Sequence, residues 1–135
     1  MSDVKEIRDE RGALLGYRIT GTMPDGLKAY TRDSDFVQVM SWHYPRGKKL
    51  QAHVHKIAPR SSNITQEVIV VLKGRVRADV YRDDRSLLTQ FEVGVGECAV
   101  FLAGGHGYEI LEDGTQVYEI KNGPFLGVEA DKEKF

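Results

Sequence analysis

The sequence predicts an all-β domain, and three observations carry that expectation. Short segments alternate apolar with polar residues, turn-forming residues punctuate them at fairly even intervals, and no stretch of useful length repeats with the period of a helix. A single sandwich or barrel is the expected architecture. The 135 residues suit one core and one domain.

Taken in order, residues 4–19 read as a hairpin turned around Arg11-Gly12. Met23-Pro24-Asp25-Gly26 supplies the next turn, through the fixed φ of proline and the freedom of glycine. Both belong to an N-terminal β extension, 1–35, within the same domain. From Phe36 to Tyr44 apolar residues fall on both parities, which predicts a strand covered on both faces. Lys49–His55 is expected as the next strand. Residues 56–63 break the pattern as a loop, and Gln66–Leu72 resumes it with a β-branched run. Lys73-Gly74 then turns the chain into Arg75–Tyr81, where Val76, Ala78 and Val80 alternate with Arg75, Arg77 and Asp79 and mark the inner face. After the polar turn Arg82–Arg85, strands are expected at Leu87–Val93 and Cys98–Leu102. Asp113-Gly114 predicts a hairpin joining Tyr108–Glu112 to Thr115–Lys121. The main body is therefore 36–121. Residues 122–135 form a charged C-terminal tail, loose unless Phe135 anchors it.

Charge and composition narrow the partners. Lys and Arg number 19 against 20 Asp and Glu, so no strong net field favours nucleic acid or an anionic membrane, and neither is expected. The single cysteine, Cys98, has no internal disulfide partner and is flanked by Ala99, Val100 and Phe101, as a small buried hydrophobe would be. No apolar run has the length of a signal peptide core or of a membrane span. A cytoplasmic protein is expected.

His53 and His55 are the most informative residues. In a strand, positions two apart point to the same side, roughly 6.6 Å apart along the chain, so the two imidazoles would form a pair able to grip one metal ion. Glu67 shares a strand face with Ile69 and Val71, and a carboxylate buried among aliphatics is costly unless a cation or a hydrogen-bonded partner compensates it.

The spacing around these residues resembles a known pattern. Gly47, five residues, His53-x-His55, then Glu67, six residues and Gly74, is similar to the first motif of the cupin superfamily, with eleven residues between His55 and Glu67 where three or four are common. Gly96, five residues, then Leu102-Ala103-Gly104-Gly105-His106, is similar to the second. Leu102 replaces the usual proline, one residue fewer precedes the histidine, and Ile110 stands where the family has asparagine. The resemblance covers about residues 36–121. It implies a cupin-type double-stranded β-helix, a small jelly-roll barrel, with His53, His55, Glu67 and His106 converging on one divalent transition metal. Nitrogen and oxygen ligands without thiolate suit iron, manganese, nickel, copper or zinc.

Other residues are candidates for contacting a ligand. If His106 points inward, strand alternation places Tyr108 and Ile110 inward as well, and Gln51 shares a face with His53; Tyr108 and Gln51 are the ligand-contact candidates. Both are either ligand contacts or packing groups around the metal ligands. Arg60, beside Ser61, Ser62 and Asn63, lies on a loop that would rim the barrel, as an anion-binding lid or as an ordinary solvated loop. Three functions follow as expectations. The first is a metal-dependent enzyme, an oxygenase or isomerase, acting on a small polar organic molecule. The second is a metal-free ketoisomerase or epimerase of sugar nucleotides, with His53 and His55 as acid and base. The third is a non-catalytic cupin that binds a small ligand. A homodimer is expected, in which the hairpin of 1–35, with Ile7, Leu14, Leu15, Tyr17 and Ile19, either extends a sheet across the interface or completes its own barrel.

Overall fold

The computed structural model describes residues 2–135; Met1, the first residue of the expected extension, lies outside the described residues. Among the described residues, ten strands and one turn of helix follow in order: β1 (Ser2–Arg8), β2 (Leu14–Gly21), β3 (Gly26–Ala29), β4 (Met40–His43), β5 (Glu67–Lys73), β6 (Val76–Tyr81), β7 (Leu87–Val93), β8 (Cys98–Phe101), β9 (Gly105–Ile110), β10 (Gln116–Lys121) and α1 (Val128–Asp131). Every pairing is antiparallel, so the all-β expectation holds. The strands form three open sheets, ordered β1-β2-β8-β5-β10, β7-β6-β9 and β3-β4, rather than one closed ring. Among the described residues, no helix is long and apolar enough to cross a membrane.

The core lies between the two larger sheets. Ile7, Leu15, Ile69, Val71, Ala99 and Phe101 from the five-stranded sheet meet Val76, Ala78, Val80 and Val93 from the three-stranded one. Burying a Val, Leu or Phe in this way contributes roughly 1.5–3 kcal/mol per side chain relative to exposure. The five-stranded sheet is also covered on its reverse face, where Tyr17, Ile19, Val68 and Val100 pack with Tyr30 and the half-buried Val37 and Val39. Covering on both faces explains why β5 and β8 read as almost unbroken apolar runs. Gly16 sits between Ile7 of β1 and Phe101 of β8, where a Cβ would lie 2.0 Å from the Val100 carbonyl oxygen. No other residue fits that approach.

The hairpin of 4–19 forms as expected, and β2 pairs with β8 of the same chain. Three expectations are corrected. First, Lys49–His55 is not a strand: residues 44–66 hold no strand or helix, and every residue from 45 to 64 is exposed. Its alternation meets no partner strand, and without a ladder alternation does not make a strand. Second, the Phe36–Tyr44 segment is a strand only over Met40–His43 and is covered on one face. Ser41 is buried, with its Oγ 2.9 Å from Tyr30 Oη, while Met40 and Trp42 are 50% and 62% exposed. Third, Asp113-Gly114 does turn the chain, but β9 pairs with β6 and β10 with β5, so the two flanking strands belong to different sheets.

Candidate functional site

Glu67 opens β5 on the face shared with Ile69 and Val71, and it is only 3% exposed. Register places Phe101 of β8 on one side of it and Lys121 of β10 on the other. Across the gap between sheets, His106 and Tyr108 project from β9, opposite Val80 and Ala78 of β6. The Phe101 ring stacks on the His106 imidazole at 4.5 Å and 25°, and meets the edge of Tyr108 at 5.7 Å. One aromatic side chain therefore orients both polar groups.

These groups converge on the Glu67 carboxylate. Tyr108 donates its phenolic O–H to Oε1 at 2.8 Å, and Nε2 of His106 lies 3.3 Å from Oε2. Glu119 of β10 lines the same cavity, with its carboxyl close enough to Glu67 for the two titrations to depend on each other. Burial pushes the Glu67 carboxyl up, but the hydrogen bonds of His106, Glu119 and Tyr108 and the charge of His106 outweigh it and hold the group at about 2. Its bond to Glu67, followed by burial and the Glu67 charge, raises Glu119 above an ordinary carboxyl. Burial, then the neighbouring carboxylate, raises the Tyr108 phenol. The result is an ionised carboxylate ringed by three groups that can present protons to it.

A cavity of about 400 Å³ opens above this cluster, lined by Glu67, Phe101, Ala103, His106, Tyr108 and Glu119 at its floor and by residues 131–134 at its far side. Ligand sites fall in the range of roughly 300–1,000 Å³.

Of the four metal ligands expected from sequence, Glu67 and His106 meet. His53 and His55 lie in the exposed 45–64 stretch, with rings 5.1 Å apart in a T-shaped contact and Nδ1 of His53 3.0 Å from the Gln51 carbonyl oxygen. Gln51 and Arg60 are exposed in the same stretch and do not line the cavity, whereas Tyr108 does. Among the described residues, no group of three or more His, Cys, Asp or Glu side chains is placed to hold a metal ion. As arranged, Glu67 and His106 meet with the Glu119 carboxyl beside them, and the paired imidazoles of the expected four-ligand set lie elsewhere.

Glu119 is the site residue that sequence reasoning missed. In β10 the apolar Tyr118 and Ile120 alternate with Glu119 and suggest that the glutamate faces water, yet Tyr118 and Ile120 are 63% and 55% exposed and Glu119 turns to the cavity. The half-buried Val117, which shares its parity and packs against the main core, is the one local signal that pointed the right way. No protein-family model, curated protein or solved structure matches this chain.

Proposed function

We propose that the cavity binds a small polar organic molecule, which Glu67 and Tyr108 orient by charge and hydrogen bonding while His106 moves a proton on it. The observation that carries this reading is the buried Glu67 carboxylate, held by the Tyr108 hydroxyl and the adjacent His106 at the floor of an open cavity. A carboxylate kept ionised and a phenol kept protonated offer a fixed hydrogen-bond acceptor and donor to a bound molecule, and the imidazole beside them is the group suited to carry a proton. Phe101 and the strand ladders hold these groups in place before a ligand arrives, which lowers the ordering cost of binding. The test is a nuclear magnetic resonance titration with small hydroxy acids and sugars, followed at the His106 and Tyr108 rings. Compounds that perturb both rings should lose affinity in Glu67→Gln. Affinity unchanged by that substitution would place binding elsewhere. A ligand bound without turnover would support the non-catalytic form of the same reading.

A second reading follows from the resemblance to cupins and is favoured by the same buried carboxylate next to an imidazole. It adds a divalent transition metal, and it requires His53 and His55 to join Glu67 and His106. The open edge of β9, which carries His106 and Tyr108, is the place where a segment such as 49–55 would complete both a jelly-roll sheet and a four-ligand site. The sugar-nucleotide isomerase reading requires the same movement, because it assigns acid and base roles to His53 and His55. The homodimer belongs to this proposal as well. Tyr118 and Ile120 of the edge strand β10, with Leu72 of the neighbouring β5, are exposed and offer a surface that a second copy could cover. Sedimentation equilibrium of the intact chain and of Tyr118→Lys tests it, and a monomer in both cases rejects it.

A further inference from the structure

Asp131, Lys132, Glu133 and Lys134 line the cavity, and the stretch makes contacts with the body of the protein at both ends, part-buried at Asp131 and on the surface at Phe135, which is 62% exposed. At one end, Asp131 closes α1, accepts a hydrogen bond from Thr65 Oγ1, and lies 3.7 Å from the Lys121 ammonium. At the other, the Phe135 ring meets Tyr81 edge to face at 5.0 Å, and the Arg85 guanidinium lies 5.4 Å from its centroid. Arg85 also pairs with Glu133 at 2.9 Å, and it does so from a left-handed backbone, φ 71, at the β6–β7 turn. A Cβ on Gly105 would lie 3.0 Å from the Phe135 ring. The ring therefore rests against bare backbone at the residue immediately before His106.

We propose that residues 131–135 are a working part of the ligand site: a strap whose Phe135 end positions the Gly105–His106 backbone and whose charged middle limits what reaches Glu67. The inference rests on the cavity being the ligand site. Its physical basis is a division of labour within five residues. Asp131 and Phe135 are engaged with the body of the protein, so Lys132 and Lys134 are held over the cavity instead of swinging free. Phe135 is a positioning residue, since it touches the backbone next to His106 and does not reach the carboxylate cluster. Gly105 fits this role, because any side chain there would displace the ring.

The strap can be tested without a ligand. Ala103 lines the cavity and takes no part in the proton-handling cluster, so Ala103→Cys in a Cys98→Ser background gives a thiol that reports access. Alkylation by iodoacetamide should be about tenfold faster once Phe135→Ala frees the strap, as expected when a shielded group is exposed by local opening. Arg85→Gln, which removes both the Glu133 ion pair and the contact with the ring, should give the same change through a second route. A control thiol at Glu112→Cys, on the β9–β10 turn, should not respond. The His106 ring resonances should shift in Phe135→Ala while the melting temperature stays close to that of the parent. Equal Ala103→Cys rates with and without Phe135, or an unmoved His106 ring, would overturn the proposal. Because this readout needs no bound molecule, it separates failure of the strap from failure of the ligand reading, which is judged by the Glu67→Gln titration.

Discussion

Glu67 of β5 and Glu119 of β10 line the same cavity although their backbones are out of step. Register sets Ile69 opposite Glu119 and Lys121 opposite Glu67, so the two carboxyl groups meet along a diagonal of the ladder. Two acidic groups placed this way push their titrations apart, because one proton between them is far better than none.

That relationship predicts how stability depends on pH. The Glu67 carboxyl is lowered from 4.5 to about 2, so its contribution is present above 4.5 and is lost as pH falls toward 2. Glu119 is raised, so its contribution is complete below 4.5 and is lost as pH rises through its folded value. Urea midpoints measured across pH should therefore decline on both sides of a mildly acidic maximum. Glu119→Gln should flatten the alkaline decline and leave the acid one in place. An alkaline limb unchanged in that variant would separate Glu119 from Glu67.

Metal content distinguishes the two functional readings. Inductively coupled plasma mass spectrometry on protein purified without a polyhistidine tag should find near-stoichiometric iron, manganese, nickel, copper or zinc if the four-ligand site forms. Both Glu67→Gln and His53→Ala/His55→Ala should then lose the ion. Loss in the first variant alone would exclude the paired histidines as ligands. No metal after reconstitution with each ion would leave the proton-transfer reading standing alone.

The open edge of β9 makes a hydrogen-exchange prediction. The Leu111 N–H donates to the Arg75 carbonyl, and antiparallel alternation then turns the backbone groups of Glu109 and Gly107 toward β6 and those of His106, Tyr108 and Ile110 toward the open side. Amides of His106, Tyr108 and Ile110 should exchange faster than those of Gly107 and Glu109. If added metal or ligand draws residues 49–55 onto that edge, the three fast amides should become protected together with the amides of that segment. Equal protection of all five in the free protein would mean that the edge is already covered.

Gly16 offers a test of the fold itself. A methyl group at this position would lie 2.0 Å from the Val100 carbonyl oxygen, with backbone on both sides and little room to shift. Gly16→Ala should cost about 3 kcal/mol, the upper end of the usual overpacking range. Denaturant unfolding measures it. A loss well below 1 kcal/mol would show that β2 and β8 can separate without penalty.

Local alternation settled a large part of the fold. The strands at β5, β6, β7 and β8 were legible within a residue or two, β6 from its alternation and β5 and β8 as short, nearly continuous apolar runs bounded by turn residues. The inner face of β6 follows directly from Val76, Ala78 and Val80. Glu67 was a candidate because a carboxylate in a β-branched run is costly to bury, and His106 because the spacing from Gly96 resembles the second cupin motif; the fold brings the two side chains together. Tertiary structure decided what depends on partners distant in sequence. It split β9 from β10 across the Asp113-Gly114 turn, left the 49–55 alternation without a neighbour, and set Glu119, itself exposed, at the cavity while Tyr118 and Ile120 lie on the other face. A ladder is made by two strands, and the choice of the second, and with it the face that is buried, is set by long-range packing that no single segment encodes.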